Sequence, residues 1–231
     1  MKRYSKNYVE SSKNIDKHKL YDYAEAIKLV KSLSKTKFDS TIEIAMRLNL
    51  DTKKADQQLR GSLVLPNGTG KTRKVLVVTK NAQEEAKKAG ADYVGEADML
   101  EKIEKENWFD FDIIVATPDM MASLGKLGKI LGPKGLMPNP KTGTVTTNVT
   151  EAVNNIKKGM VEYRADVYGN VHGVIGKTSF TEKALEENFL YFVNEIIRNK
   201  PSGAKGTYIK NISIASTMGP GVKIDKNSIE N

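Results

Sequence analysis

The sequence contains no cysteine. That excludes disulfide scaffolds, thiolate zinc sites and cysteine nucleophiles, and it fits a reducing compartment. Histidine is almost as scarce, with only His18 and His172. A histidine metal cluster or a Ser/His triad therefore lacks its material, and no cofactor or metal is expected. No run of about 18 apolar residues occurs, so no membrane span is expected. The basic start, Met1–Lys6, leads into no apolar stretch and does not read as a secretory signal. What the chain has in excess is positive charge. Its 231 residues carry 37 Lys and Arg against 28 Asp and Glu, a net charge of +9. Hydrophobic residues make up 39%, enough for a real core. At about 150 residues per domain the length suggests one or two domains. The composition reads as a soluble cytoplasmic protein with a polyanionic partner, most simply nucleic acid.

The charge is unevenly spread. Residues 70–158 hold 14 basic and 12 acidic side chains, and the two flanks hold 23 and 16. The surplus of the flanks is thus +7 against +2 for the centre. Within the first 37 residues, ten basic side chains face four acidic ones, among them Lys2, Arg3, Lys6, Lys13, Lys17 and Lys19. Such an arm contacts phosphates but carries no sequence specificity.

Hydrophobic patterning separates the same regions. In the centre, Val75–Val78 and Ile113–Ala116 are continuous apolar runs, typical of buried parallel strands, and Tyr93-Val94 is a minimal third. Helix-like stretches lie between them. Asn81 is the expected cap of one that runs to Lys88 and stops at Gly90. Another spans Ala97–Glu106, a third follows Pro118, and Thr150 is the expected cap of a last one over Glu151–Lys158. Strand–helix alternation predicts a three-layer α/β domain.

In the flanks, Tyr21–Leu33 is amphipathic, with Ala24, Ile27, Leu29 and Val30 toward a core. Thr41–Leu48 alternates with period two, and Val161–Val167 does the same. Val171–Ile175, Tyr208–Ala215 and Val222–Ile224 are further strands, and Thr181 caps a long helix to Arg198. Neither flank suffices alone. The expected fold class is α/β with two domains. Residues 1–68 plus 160–231 would form a discontinuous two-layer α+β domain with an antiparallel sheet. Residues 69–159 would be an inserted Rossmann-like α/β domain. Crossings near Gly68 and Gly159 would act as hinges.

Several motifs invite a functional reading. Pro66–Thr72 ends like a phosphate-binding loop, but Leu65 stands where its first glycine belongs, and the segment runs into a strand rather than a helix. Gly125–Gly143 is rich in Gly and Pro and carries Lys126, Lys129, Lys134 and Lys141 without an acid. It reads as a long surface loop suited to phosphates. Ser216–Gly221 joins two strands. It is either a tight turn or a surface whose hydroxyls and glycine amides approach a sugar-phosphate chain. Phe38 either covers the core edge or packs on a ribose or base. His172 reads as a strand residue with a satisfied ring. The neighbouring carboxylates Glu84/Glu85 and Glu186/Glu187 look solvated, and no acid–base pair suggests itself.

Gly132–Thr146, with Gly-Pro-Lys-Gly-Leu-Met-Pro-Asn-Pro-Lys-Thr-Gly at its heart, closely resembles the most distinctive block of the ribosomal protein L-one family, bacterial type. Further family-like blocks follow the same order. They are Lys37-Phe38-Asp39, Asp56–Gly61, Lys87–Asp92, Phe111–Pro118, Val161–Arg164, Gly176–Phe180, Gly203–Gly206 and Thr217–Pro220. The resemblance implies the discontinuous fold just described and a non-catalytic role. It implies binding to large-subunit ribosomal RNA at the mobile stalk, assistance to exit-site tRNA release, and repression through the leader of the protein's own operon mRNA. It further implies a monomer within the cytoplasmic ribosome. Carried over by motif, the implied RNA contacts are Lys37, Phe38, Thr41, His172, Lys177, Ser179, Thr217, Met218 and Gly219. One departure concerns His172: where the family commonly has His-x-Pro, this chain has His172-Gly173-Val174. The competing reading is an enzyme with a nucleotide in the insert, yet no Gly-x-Gly-x-x-Gly follows Val75–Val78. A third reading is a DNA-binding protein.

Overall fold

The computed structural model describes residues 4–229. Lys2 and Arg3 of the basic arm lie outside them. The chain opens with α1 (Lys6–Lys13) and α2 (Tyr23–Leu33), followed by β1 (Thr41–Leu48) and β2 (Arg60–Val64). Next come β3 (Val75–Val78), α3 (Gln83–Lys88), β4 (Tyr93–Gly95), α4 (Ala97–Glu106) and β5 (Ile113–Ala116). The short helices α5 (Met121–Lys126) and α6 (Gly128–Leu131) precede α7 (Val149–Lys157). The last part contains β6 (Met160–Arg164), β7 (Asn170–Lys177), α8 (Glu182–Arg198), β8 (Ile209–Ser216) and β9 (Val222–Ile224). The fold is a mixture of α and β. Its contacts divide it into two compact units, Met1–Gly70 with Val161–Asn231, and Lys71–Met160.

The first unit is built on an antiparallel sheet of order β7-β1-β8-β9. Period-two alternation drives Ile42, Ile44, Met46 and Leu48 of β1 to one face, where all are buried. That face is covered by α2 and α8. The Thr181 side chain caps α8 by accepting from the Ala184 amide. Leu185, Phe189, Phe192, Val193 and Ile196 recur at helical spacing and fill the core. The opposite face of the sheet, with Thr41, Glu43, Ala45 and Arg47, stays at least partly open to solvent. A separate pair, β2 with β6, is bridged by Arg60, whose Nε and Nη2 both donate to Glu162 Oε1 at 3.0 and 2.7 Å.

Some expectations shift in this unit. The first turn of α2 begins after Asp22, whose carboxylate accepts from Ala24 N, and Tyr21 instead bridges to Ile224. Ala26 and Leu33 are buried in its core stripe, whereas Ala24 and Leu29 are half-buried. The alternation after Met160 stops at Arg164, and Val167 is 77% exposed. The Asp166 carboxylate turns the chain there by accepting from Tyr168 N and Asn170 N, each at 2.8 Å.

The second unit has a parallel sheet of order β4-β3-β5. β3 is central and fully buried, which explains its uninterrupted Val75-Leu-Val-Val78 run. α3 packs with α7 and α4 with α5. Two caps differ from expectation. Asn81 does not cap α3: Ala82 holds the cap position without a side-chain bond into the helix, and Thr79 Oγ1 accepts from the Ala82 amide itself. Thr150 lies inside α7, which Asn148 caps by accepting from Glu151 N. The Gly125–Gly143 stretch is not an irregular loop. Lys126 ends α5, Leu127 and Leu131 are buried, and Asn139 O accepts from the Thr142 and Thr144 hydroxyls. Its four lysines are exposed, and Lys134 Nζ sits 4.1 Å from the Phe109 ring centroid.

Candidate nucleic-acid interface

Antiparallel pairing sets the start of β1 beside the ends of β7 and β8. Thr41 lies opposite Lys177, and Ile42 opposite Ser216. Three connecting segments therefore converge on one end of the sheet: 36–40, 177–180 and 217–221. Every candidate contact residue except His172 is found there. A bulge between Ile42 and Glu43 shifts the β1–β7 register at this end and re-aims the last residues of β7.

Thr41 ties the three segments together. Its Oγ1 accepts from Lys177 Nζ at 2.9 Å. Its carbonyl accepts from Thr217 N at 3.0 Å and from Thr217 Oγ1 at 3.1 Å. The Lys177 stem is held by Gly70, where a Cβ would come within 2.8 Å of Lys177 Cγ and 3.0 Å of the Phe180 ring. Gly70 also has φ +70, so two constraints coincide in it.

Asp39 organises the segment that carries Lys37 and Phe38. Its carboxylate accepts from Ser179 Oγ at 2.8 Å, Ser179 N at 3.0 Å and Thr178 Oγ1 at 2.9 Å. The Ser179 hydroxyl, joined by Thr178, the Ser179 amide and the Lys177 charge, holds this carboxyl below the usual carboxylate range. Thr36 Oγ1 donates to Phe38 O at 2.8 Å. Phe38 itself does not cover the core edge: it is 59% exposed, and Met218 is 67% exposed. Two large apolar side chains thus stand in solvent at one sheet end, next to Lys37 and Lys177. Residues 217–221 form a tight turn. Gly219 N donates to Ser216 O at 2.8 Å, and a Cβ on Gly219 would overlap Ser216 Oγ. The Gly219 amide is therefore not bare, as the glycine pattern suggests.

His172 is set apart. It lies opposite Ala45 on the open face of the sheet, exposed, roughly 15 Å along β7 from the cluster. Sequence reasoning gave Asp39 no role, although the Lys37-Phe38-Asp39 block contained it. Its partners are about 140 positions away, beyond the reach of local pattern. Glu43, 3.4 Å from Thr217 Oγ1, was missed for the same reason. Among the described residues no group of His, Asp or Glu could hold a metal ion, and no helix is long and apolar enough to cross a membrane.

An exposed array of cations, hydroxyls and unsupported apolar side chains suits single-stranded or irregular RNA. Comparison with known proteins identifies the family. The sequence profile of the Ribosomal protein L1p/L10e family matches residues 30–220. Large ribosomal subunit protein uL1 of Mesoplasma florum is 61% identical over 213 residues, covering 92% of this chain and 94% of that protein. The uL1 proteins of Mycoplasma capricolum and Mycoplasma mycoides are 57% and 58% identical, over 97% of this chain and 100% and 99% of theirs. With a family profile spanning most of its length and relatives aligned nearly end to end, this chain belongs to the Ribosomal protein L1p/L10e family.

Proposed function

We propose that the protein is a structural constituent of the large ribosomal subunit, in the cytoplasmic ribosome, and acts there as a monomer that binds large-subunit ribosomal RNA at the mobile stalk. It is not an enzyme. In this reading residues 1–68 with 160–231 form the RNA-binding α+β domain, and 69–159 form an inserted three-layer Rossmann-like domain. The stalk carries the protein beside the exit site, where it assists release of deacylated tRNA. The protein also represses its own operon by binding the mRNA leader.

The observation that carries the RNA reading is the convergence at one sheet end. Phe38 and Met218 are exposed there beside Lys177, around the hydroxyls of Thr41 and Thr217. The cations would neutralise phosphates, the apolar side chains would pack on sugars or bases, and the hydroxyls would meet 2′-hydroxyls. Lys37, Ser179 and Gly219 complete the contact set, and His172 would extend it along the open sheet face.

The test is binding of purified protein to large-subunit ribosomal RNA, with matching DNA as competitor. RNA should bind with a steep salt dependence, and equimolar DNA should not displace it. Equal displacement by DNA would return the third reading. Co-sedimentation with large subunits at moderate salt checks the assignment to the ribosome.

A further inference from the structure

The segment that ends the RNA cluster does not stop at Gly219. Pro220 and Gly221 lead into β9, and opposite them stands α1. Between them lies a cleft of about 230 Å³, lined by Tyr8, Asp16, Lys17, Pro220, Gly221 and Lys223 among others. It is smaller than the roughly 300–1,000 Å³ that drug-sized ligands occupy. One planar base suits it; a whole nucleotide cofactor does not.

The lining is chemically specific. Tyr8 offers an aromatic wall and is itself stacked on Tyr4, with ring centroids 4.9 Å apart. Nothing would lie within 4 Å of a Cβ at Gly221, so the backbone there leaves room for a ring. Lys17 and Lys223 are exposed, and neither is in an ion pair among the described residues. Asp16 is exposed, and its carboxylate is oriented because one oxygen accepts from His18 N at 2.9 Å. A carboxylate only accepts hydrogen bonds. Among the bases, guanine presents two adjacent donors, N1–H and N2–H, on its Watson–Crick edge. Adenine and cytosine each present a donor beside an acceptor there, and uracil presents one donor between two acceptors.

We propose that this cleft takes one unstacked guanine of the same RNA that the strand-end cluster binds. Tyr8 stacks on the base, Asp16 accepts from its Watson–Crick edge, and Lys17 and Lys223 meet the flanking phosphates. The proposal rests on the RNA-binding reading above. It adds a base-specific contact that the uncharged Thr217–Gly219 turn does not provide.

The experiment uses the full chain and large-subunit ribosomal RNA, probed with a reagent that modifies guanine N1 and N2. Wild-type protein should protect one guanine, and Asp16→Asn should expose it again. Tyr8→Ala should bind about tenfold more weakly with an unchanged salt slope, since stacking releases no counterions, and Tyr8→Phe should bind as wild type. Should Tyr8→Ala unsettle α1, the conservative Asp16→Asn still decides the question. If both Tyr8→Ala and Asp16→Asn bind and protect as wild type while Lys177→Ala is weakened, the cleft is overturned and the RNA reading stands. If wild-type protein fails to bind the RNA at all, the reading itself falls, and the cleft with it.

Discussion

At the scale of single residues, Thr41 and Asp39 decide what the others can do. Thr217 illustrates this. Its hydroxyl proton is engaged with the Thr41 carbonyl, so toward RNA the oxygen can only accept. Thr217→Val keeps the shape and removes both roles. Loss of the turn bond should cost about 1 kcal/mol, and about 2–4 °C in melting temperature for a chain of this size. Loss of the acceptor should lower the ratio of specific to non-specific RNA binding about fivefold. A lowered melting temperature with an unchanged ratio would confine Thr217 to shaping the turn. Asp39 makes a pH prediction. Its carboxyl is held below the ordinary value in the folded protein, so its bonds are fully present above about pH 4. They are lost as pH falls through Asp39's own lower value. With respect to this group, RNA affinity should be flat between pH 8 and 5 and should drop only below pH 4. Asp39→Asn, unable to satisfy Ser179 and Thr178 together with charge, should bind more weakly at neutral pH. Comparing its acid profile with that of wild type isolates Asp39 from titration of the RNA; an identical acid drop in both proteins would contradict the assignment.

At the scale of elements, one buried polar side chain fixes the long helix α8 against the chain around it. Asn188 is fully buried. Its Nδ2 donates to Ile175 O at 2.8 Å and Gly68 O at 3.0 Å, and its Oδ1 accepts from Asn67 N at 3.0 Å. Asn188→Leu keeps the volume and strands three backbone groups. Denaturant unfolding followed by circular dichroism should show a loss of about 3 kcal/mol. A loss under 1 kcal/mol would mean that water replaces the amide. Asn188 also marks the limit of what the sequence discloses. β1, α4, α8 and β9 were legible to the residue because each is dictated by hydrophobic period within a single segment, helped in α8 by the Thr181 cap. The β2 strand and α1 were not. β2 is short and, among the described residues, pairs with β6 alone, which begins about a hundred positions later, while α1 has few apolar residues and docks through contacts such as Ser11 Oγ to Leu33 O at 3.4 Å. The capping errors at Asn81 and Thr150 have a common cause. Each is a good capping residue by type, but α3 starts after Ala82 with no side-chain cap and α7 is capped two positions earlier by Asn148, so the path of the preceding chain sets where each helix begins. For the candidate site the segments were legible through their motifs. The bonds that join them at Thr41 and Asp39 were not, since those depend on the register of strands distant in sequence.

At the scale of the whole molecule, charge and architecture divide the chain in the same way. The flanks that build the antiparallel unit carry a surplus of +7, and the central unit carries +2. The contact candidates all lie in the flanks. The hydrophobic cluster that surrounds β1 and α8 is composed of flank residues throughout, from Ile15 to Ile224. The antiparallel unit therefore has its own core and need not borrow one. A chain that joins residues 1–70 to 161–231 through a short glycine linker should fold and keep specific RNA affinity. Ending the first piece at Gly70 matters, because that glycine packs on the Lys177 stem and Gly68 O is bonded to Asn188. Affinity should fall with salt by about 0.7–0.9 log units per decade for each phosphate neutralised. In that shortened chain Lys177→Ala should weaken specific and non-specific RNA alike and flatten the slope by about one contact's worth. Residues 71–160 alone, whose Lys126, Lys129, Lys134 and Lys141 are exposed but nearly balanced by acids elsewhere in the unit, should bind RNA only weakly and without preference. A folded flank chain that binds no better than this central piece would overturn the placement of the RNA site on the sheet end.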